Sequence, residues 1–411
     1  MTKYVIIGAG AAGVMAADRL RVMDEGGEIT VISVDEHVHS RCMLHKYLGH
    51  ERTVEEINFV PEDFFEKRDI RWVKGEKITA IRPQEKQVDL ECGAFLPYDK
   101  LLIATGAGYF IPPIPGFREG KNVYGFRDFS DAKALDEAVK GKKKVFIVGS
   151  GLVGLDAASA LCHQGYEVTI AEMAGRVMPL QTDDYAASVY QRAFEEAGCT
   201  FYLGIGVTGS KLDEEGNLTH VVLSDGSEIP CDVVMVAAGV RPQIGFLEGS
   251  GIAVGRGVEV NEYLQTSDPD IYAAGDVTGL SGVWPDAFDQ GKTAAMNMAG
   301  VPVAYEKPYP FKNTSNFFGI SMLSLGKLDP IPEGAQVETV MDRGTYKKAI
   351  LVDGKLQGLL IQGDISNTGI YLELIKNQVD VGALGKSVFD LSYADFYHMN
   401  PRTGAFSYTE E

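Results

Sequence analysis

The sequence has few cysteines and no long apolar run. Five cysteines are scattered over 411 residues, and this odd number suits neither a disulfide framework nor a zinc site, so we expect a reducing compartment. No stretch reaches the roughly eighteen consecutive apolar residues of a transmembrane helix, which predicts no membrane span. A predicted strand beginning at residue 3 or 4 leaves no room for a signal peptide. Together these features predict a cytoplasmic protein.

Positive charge is also scarce. The chain has 38 lysines and arginines against 57 aspartates and glutamates, which gives a formal net charge of −19 at pH 7. This excess disfavours binding to nucleic acid or to an anionic membrane, and we predict neither as a partner. His37, His39, His45 and His50 lie close together in sequence but lack cysteine or acidic partners at ligand spacing. We therefore predict no metal site.

What the sequence does contain is a glycine-rich loop, Gly8–Gly13, with the pattern Gly-x-Gly-x-x-Gly between an apolar strand and a run of small residues. Gly8 permits the tight turn, Gly10 lets backbone N–H groups approach a pyrophosphate, and Gly13 lets the next helix pack on the strand. The start of that helix favours an anion through its unpaired donors and its dipole. Asp35 follows the next predicted strand, where a carboxylate binds the ribose hydroxyls of an adenine nucleotide.

The same unit is repeated later in the chain. Lys144–Val148 is a predicted strand, Gly149–Gly154 is a second Gly-x-Gly-x-x-Gly loop, and Leu155–Gln164 is a predicted helix. The next predicted strand ends on Glu172, again a carboxylate. One such loop can arise by chance, but two with matching flanks predict two bound dinucleotides.

Other segments predict ligand turns and a further domain. Ala104-Thr105-Gly106 and Gly275-Asp276 each end a predicted strand with small residues, which lets the backbone approach a ligand closely. The proline-rich segment 112–116 predicts a linker. Beyond about residue 301, a predicted hairpin with an Asp353-Gly354 turn and a predicted helix within 366–378 indicate a separate α+β domain.

These features together resemble the two-dinucleotide FAD/NAD(P)H reductase superfamily, which includes glutathione reductase. The resemblance covers essentially the whole chain, because both glycine loops and both small-residue turns occur in the family's order and spacing. It implies an α/β fold with two Rossmann-like dinucleotide-binding domains, one inserted in the other, and a C-terminal α+β domain. The implied boundaries are 1–112 with 242–300 for the FAD-binding domain, 113–241 for the NAD(H)-binding domain, and 301–411 for a C-terminal interface domain.

The resemblance also assigns contacts with FAD and NADH to individual residues. These are Gly8, Gly10, Ala11, Ala12, Gly13, Asp35, Arg41, Lys46, Ile78, Ala104, Thr105, Gly106, Arg127, Gly149, Gly151, Leu152, Val153, Gly154, Glu172, Gly239, Gly275, Asp276 and Phe318. FAD is expected rather than FMN, because the first loop and Asp35 bind an adenosine. The carboxylate of Glu172 is expected to favour NADH over NADPH, although Arg176 lies nearby.

One segment resembles a particular branch of the superfamily. Arg41–Lys46 is similar to the R-P-P-L-S-K segment of ferredoxin, rubredoxin and nitrite reductase flavoproteins. In that branch the lysine lies near flavin N5 and pairs with an acid, whose place Asp156 takes here, so a Lys46–Asp156 ion pair is expected. Arg127 resembles the branch's FAD-contacting arginine, and Ser315–Gly319 resembles the tail segment that approaches the flavin.

Cys42 departs from this branch and has two interpretations. Its position resembles the redox cysteine of NADH oxidases, NADH peroxidases and coenzyme A-disulfide reductases. Lys46, His45 and a helix N-terminus nearby would then lower the pKa of the thiol. Alternatively, Cys42 is an apolar filler, since Met43 replaces the glycine that gives the oxidase thiol its space. The sequence has no Cys-x4-Cys pair, which excludes a disulfide reductase of the glutathione reductase type.

The sequence therefore predicts an FAD-dependent oxidoreductase that takes electrons from NADH, with Cys42, Lys46 and Asp156 as candidate catalytic residues. Its acceptor is either a small redox protein such as rubredoxin, or oxygen, peroxide or a disulfide reduced with the help of Cys42. A third alternative is a flavin-binding subunit without turnover. The sequence leaves open which acceptor is used and whether the chain forms a homodimer.

Overall fold

The computed structural model describes residues 1–306, 311–399, 402–403 and 406–407. Contacts divide the chain into two compact units. The first comprises the described residues of Met1–Gly149, Val153–Ala171 and Gly206–Lys307. The second comprises those of Ser150–Leu152, Glu172–Ile205 and Pro308–Glu411.

Helices and strands alternate through most of the chain. The helices are α1 (Ala11–Met23), α2 (Leu44–Leu48), α3 (Phe64–Lys67), α4 (Phe129–Val139), α5 (Leu152–His163), α6 (Asp184–Glu196), α7 (Trp284–Met298) and α8 (Gly369–Lys376). The strands of the first half are β1 (Lys3–Ile7), β2 (Glu28–Ile32), β3 (Arg71–Val73), β4 (Ile78–Arg82), β5 (Gln87–Leu90), β6 (Phe95–Pro97), β7 (Lys100–Ile103), β8 (Ala107–Tyr109), β9 (Val123–Tyr124), β10 (Lys144–Val148) and β11 (Glu167–Glu172). The later strands are β12 (Cys199–Leu203), β13 (Val207–Leu212), β14 (Leu218–Leu223), β15 (Glu228–Pro230), β16 (Val233–Val236), β17 (Val240–Pro242), β18 (Ile271–Ala273), β19 (Lys312–Phe317), β20 (Ile320–Gly326), β21 (Gln336–Asp342), β22 (Thr345–Val352), β23 (Lys355–Gln362), β24 (His398–Met399) and β25 (Phe406–Ser407).

A five-stranded parallel sheet with the order β18-β7-β1-β2-β3 carries the first glycine loop. At the carboxyl end of β1, Ile7 pairs with Ile32 of β2 and with Ile103 of β7. Ile6 packs in the apolar layer that contains α1 and α7, whereas Ile7 packs in the layer on the opposite face. Because both faces are covered, the strands of this sheet are almost continuously apolar in sequence.

Within the first unit, the strands of a second parallel sheet have the order β11-β10-β16-β9, and the second glycine loop follows β10. Strand β10 pairs with β11 and β16 in the same way that β1 pairs with its neighbours. The predicted repeat of strand, glycine loop and helix is therefore confirmed. Two small antiparallel sheets, β4-β5-β6 and β13-β14-β15, also belong to the first unit.

The second unit contains an antiparallel sheet with the order β19-β20-β23-β22-β21. Helix α8 covers one face through the buried side chains of Ile370, Leu374 and Ile375. The predicted hairpin is confirmed, because β22 and β23 pair on either side of Asp353-Gly354. The edge strand β21 exposes five of its seven residues.

Helix α8 is shorter than predicted and begins at Gly369. Trp284 and Pro285 lie in the first turn of α7, where proline fits because first-turn N–H groups have no partner within the helix. Among the described residues, no helix is long and apolar enough to cross a membrane.

The Gly13→Ala substitution tests how closely α1 packs on the first glycine loop. A Cβ on Gly13 would lie 1.9 Å from the carbonyl oxygen of Gly8, so the backbone must move. We expect the free energy of unfolding to fall by about 1–3 kcal/mol, measured by urea denaturation of the cofactor-free protein. Gly10→Ala is the control, because a Cβ there meets nothing within 4 Å. Equal destabilisation by the two substitutions would contradict this account.

Candidate functional site

The first glycine loop leaves an open space at its second glycine. The φ angle of Gly8 is +111°, and a Cβ there would lie 2.3 Å from the carbonyl oxygen of Ala104. A Cβ at Gly10, by contrast, would meet nothing within 4 Å. Gly10 is also the N-cap of α1, and no side chain caps this helix. The loop therefore fits a pyrophosphate bound by the first turn of α1.

The second glycine loop repeats this geometry. The φ angle of Gly149 is +101°, and a Cβ there would lie 2.7 Å from the carbonyl oxygen of Ala237. A Cβ on Gly154 would lie 2.1 Å from the carbonyl oxygen of Gly149, whereas one on Gly151 would meet nothing within 4 Å. The loop thus has the same two close contacts and the same open position, which fits a second dinucleotide.

In the second unit, the carboxylate of Glu172 is held in place by hydrogen bonds. It accepts from the backbone N–H groups of Ser150 and Ala174, each at 2.9 Å. The hydroxyl of Ser150 donates to the same carboxylate at 3.2 Å. Arg176, four residues later, forms an ion pair with Asp329 at 3.0 Å. The predicted ribose ligand is therefore fixed, and the nearby guanidinium is already paired.

Two arginines of the first unit converge on the carbonyl oxygen of Ala107. Arg127 donates to it from Nε at 3.0 Å, and Arg41 donates from Nη1 at 3.4 Å. Arg41 also forms an ion pair with Asp128 at 2.8 Å, and Arg127 forms one with Asp276. Burial, and next the charge of Arg41, lower the pKa of Arg127. The structure thus brings together three residues predicted to contact FAD, which are Arg41, Arg127 and Asp276. It adds Asp128 to this group.

Asp35 and His39 interact in the segment between β2 and α2. His39 is only 6% exposed, and its Nδ1 lies 3.3 Å from the carbonyl oxygen of His37. Its Nε2 is buried and has no hydrogen-bond partner. Burial lowers the pKa of His39 and raises the pKa of Asp35. The ring is therefore neutral at neutral pH, and Nδ1, which faces a carbonyl group, carries the proton.

The predicted ion pair between Lys46 and Asp156 is wrong. Lys46 Nζ lies 2.8 Å from Glu51 Oε2, and Asp156 Oδ2 lies 3.8 Å from His45 Nδ1. Lys46 and Glu51 both keep contact with water, whereas burial raises the pKa of Asp156 to about 7. Pairing Lys46 with that carboxyl group would require desolvation of its ammonium group. Burial also lowers the pKa of His45 to about 4, so this ring is neutral at pH 7.

Cys42 is exposed, but its surroundings do not favour the thiolate. Desolvation by neighbouring protein atoms, and next the carboxyl group of Asp156, raise the pKa of the Cys42 thiol. His45 is neutral and Lys46 is paired with Glu51, so neither supplies the positive charge expected to lower this pKa, and the redox role of Cys42 stays a prediction. Three further cysteines are buried: Cys162, Cys199 and Cys231.

The remaining predicted cofactor residues fall in both units. In the first unit, a Cβ on Gly275 would lie 3.1 Å from Cβ of Ala12, so the Gly275-Asp276 turn packs on the first glycine loop. In the second unit, the Phe318 ring lies 4.8 Å from the ring of Phe194. Their contacts with a cofactor remain predictions. The cofactor contacts of the other residues also remain predictions. These residues are Ala11, Ile78, Ala104, Thr105, Gly106, Val153 and Gly239 in the first unit and Leu152 in the second.

Three residues at this site are absent from the predicted cofactor residues: His39, Asp128 and Gln290. Asp128 is the N-cap of α4 and shares a capping box with Asp131, a spacing that is visible in the sequence. Gln290 is fully buried and accepts a hydrogen bond from the N–H of Gly275 at 2.8 Å. No sequence pattern marks this glutamine. Within the described ranges, no group of three or more histidine, cysteine or acidic side chains is arranged to hold a metal ion.

The Asp156→Asn substitution tests the burial of this carboxyl group. Because its pKa is raised to about 7 in the fold, the folded protein binds a proton that the unfolded chain releases above about pH 4. This carboxyl group therefore lowers the stability of the wild type as the pH rises from about 4 to about 7. We expect the substitution to stabilise the protein by about 1–3 kcal/mol at pH 8 and much less at pH 5, measured by urea denaturation.

His45→Gln is the companion variant in this experiment. Burial is the main cause of the raised pKa of Asp156, so this variant should keep the loss of stability that Asp156 causes as the pH rises. Because burial also lowers the pKa of His45 to about 4, the variant should lose the opposite contribution of this ring, which favours the fold as the pH rises from about 4 to about 6.5. A gain from Asp156→Asn that is equal at pH 5 and pH 8 would show that the carboxyl group titrates normally.

The chain is similar to known proteins in sequence and in fold. The sequence matches the pyridine nucleotide-disulphide oxidoreductase family over residues 2–291 and the rubredoxin NAD+ reductase C-terminal domain over residues 312–379. It is 33% identical to the NADH-dependent phenylglyoxylate dehydrogenase subunit epsilon of Aromatoleum evansii, with 93% of each chain covered. It is 31% identical to the assimilatory nitrate reductase electron transfer subunit of Bacillus subtilis over 94% of this chain, but it spans only 51% of that relative.

The fold is shared with solved structures of flavoprotein reductases. The crystal structure of NADH:rubredoxin oxidoreductase from Clostridium acetobutylicum matches with a TM-score of 0.75 and 26% identity, covering 92% of this chain and 96% of that one. This match confirms the predicted fold class. Because the family match spans more than half of the residues, the chain belongs to the pyridine nucleotide-disulphide oxidoreductase family.

Proposed function

We propose that this chain takes electrons from NADH and passes them through FAD to a redox partner protein, such as a rubredoxin. Membership of the family confirms the predicted FAD cofactor and the oxidoreductase class. The match of residues 312–379 to the rubredoxin NAD+ reductase C-terminal domain supports a protein acceptor. The relative from Bacillus subtilis, whose name describes an electron transfer subunit, supports the same class of reaction.

One observation carries this proposal: the two glycine loops have the same geometry. In each loop the first and third glycines are in contact with backbone, and the second faces open space. A site for one dinucleotide would explain one such loop. Two loops, each followed by a strand and a carboxylate, support two dinucleotides, which is what transfer between NADH and FAD requires.

The residues of the first unit have distinct proposed roles toward FAD. When bound, FAD accepts a hydride from a nicotinamide and releases the electrons to an acceptor. Arg41 and Arg127 supply positive charge for the phosphates, and Asp276 accepts hydrogen bonds from the ribityl hydroxyls. Lys46 and Asp156 stay candidate catalytic residues. The Lys46–Glu51 pair is 35% and 51% exposed, so it is weak and leaves Lys46 free to change partners.

The surroundings of Glu172 support NADH rather than NADPH as the electron donor. Three hydrogen bonds hold its carboxylate, which would accept the ribose hydroxyls and repel a 2′-phosphate. Arg176, the nearby group that would attract a 2′-phosphate, is paired with Asp329. The chain's own ion pair therefore reduces the attraction for NADPH.

Further statements about the whole protein also remain proposals. We infer a cytoplasmic location from the cysteine content and leave a homodimer open. The division into an FAD-binding domain (1–112 and 242–300), an NAD(H)-binding domain (113–241) and a C-terminal domain (301–411) is proposed from the resemblance. These boundaries describe cofactor binding and differ from the two compact units of the fold.

The acceptor is tested by measuring NADH oxidation with rubredoxin, oxygen, hydrogen peroxide and coenzyme A disulfide, in wild type and in Cys42→Ser. We expect the highest kcat/KM with rubredoxin and a change of less than about threefold in the variant, because a thiol with a raised pKa is a poor nucleophile. Two results together would instead assign the chain to the thiol-dependent branch. These are a long-wavelength charge-transfer band in the wild type and loss of peroxide or disulfide turnover in Cys42→Ser.

The nucleotide preference is tested with Glu172→Ala. We expect kcat/KM for NADH to fall about tenfold, because two ribose hydroxyls lose their acceptor. The difference between the kcat/KM values for NADH and NADPH should therefore narrow. Glu167→Ala, an exposed change at the other end of β11, is the matched control and should leave both values unchanged. Equal kcat/KM values for the two nucleotides in the wild type would contradict the assignment.

A further inference from the structure

We propose that His39 is a further FAD-binding residue, whose Nε2 accepts a hydrogen bond from a ribose hydroxyl of the adenosine beside Asp35. The inference rests on the proposed FAD site and adds a residue that the sequence resemblance does not assign. It is carried by a buried polar atom that the protein itself leaves unpaired.

The His39 ring has one nitrogen that donates and one that accepts. The side chain is 6% exposed, and its Nδ1 lies 3.3 Å from the carbonyl oxygen of His37. A carbonyl oxygen can only accept, so Nδ1 donates to it and a neutral ring carries no proton on Nε2. Nε2 is then an acceptor. It is buried without a partner, which is rare for a polar atom in a folded protein.

Charged and aromatic groups surround this acceptor. Asp35 and Asp128 favour a positive charge on the His39 ring, whereas Arg41 opposes it. The ring of Phe129 lies 6.1 Å from the ring of His39 and contributes no donor to Nε2. Burial outweighs the two carboxylates and keeps the ring neutral. The segment therefore presents two acceptors, the carboxylate of Asp35 and Nε2 of His39.

The two acceptors match a particular kind of ligand. Two neighbouring acceptors need a ligand with two neighbouring donors, and the 2′- and 3′-hydroxyls of a ribose form such a pair. A phosphate group, which is an acceptor only at neutral pH, does not match. Asp35 occupies the position at which a carboxylate binds the adenosine ribose in this type of nucleotide site. His39, four residues later, then supplies the second acceptor for the same diol.

The test measures the Kd of FAD for the cofactor-free protein by fluorescence titration. We expect His39→Phe to weaken FAD binding about tenfold, because a ribose hydroxyl loses its acceptor in a buried site. His39→Gln, which retains an acceptor oxygen, should bind FAD within about threefold of wild type. His37→Phe is the matched control, because the interaction of His37 with the His39 ring uses its main-chain oxygen. It should leave the Kd unchanged.

A further measurement separates a contact from a general loss of structure. An FAD analogue with 2′,3′-dideoxyadenosine should bind the wild type more weakly than FAD, and the difference should shrink in His39→Phe.

The possible failures are distinguishable. If wild type binds no FAD, the proposed function fails. If wild type binds FAD and His39→Phe binds it equally well, only the role of His39 is overturned. The same conclusion follows if the ribose-modified analogue loses equal affinity in both proteins. If His39→Phe fails to fold, the 15N chemical shift of His39 Nε2 is measured in the wild type instead. The proposal requires this shift to change when FAD is added, and an unchanged shift overturns it.

Discussion

Contact between backbone atoms without intervening side chains sets the geometry of the first unit. A Cβ on Gly13 would lie 1.9 Å from the carbonyl oxygen of Gly8, and one on Gly291 of α7 would lie 2.2 Å from the carbonyl oxygen of Ala12. Helix α1 is therefore in close contact with the glycine loop on one side and with α7 on the other. Since neither contact can lengthen to admit a side chain, the start of α1 has little freedom to move. The anion site at its N-terminus is thus formed by the fold itself.

Charge in this unit is balanced locally although the chain as a whole is strongly acidic. The net charge of −19 would repel a dinucleotide with two phosphates. Arg41 and Arg127 oppose that repulsion, and the pairs that they form with Asp128 and Asp276 hold both guanidinium groups near one carbonyl oxygen. Such pairing orders the long side chains before a ligand arrives, which reduces the entropy lost on binding.

The sequence was sufficient for the features that depend on neighbouring residues. Apolar runs followed by glycine predicted both parallel sheets and both loops, and Asp353-Gly354 predicted the hairpin, because each pattern is local. The ion pairs could not be predicted in this way. Arg41 and Asp128 lie 87 positions apart, and only the fold brings them to 2.8 Å. Lys46 pairs with Glu51 rather than with Asp156, and this preference depends on how deeply each carboxylate is buried. The local sequence does not encode that depth.

The unpaired Nε2 of His39 has a consequence for how long the protein survives in a cell. A chain with a buried polar atom that lacks a partner is less stable than the same chain with that atom satisfied. Anything that binds the folded form and satisfies the atom shifts the folding equilibrium in proportion to its concentration. Chains synthesised when flavin is scarce would open more often, and proteolysis acts on opened chains. Flavin supply would then set the amount of this protein as well as its activity.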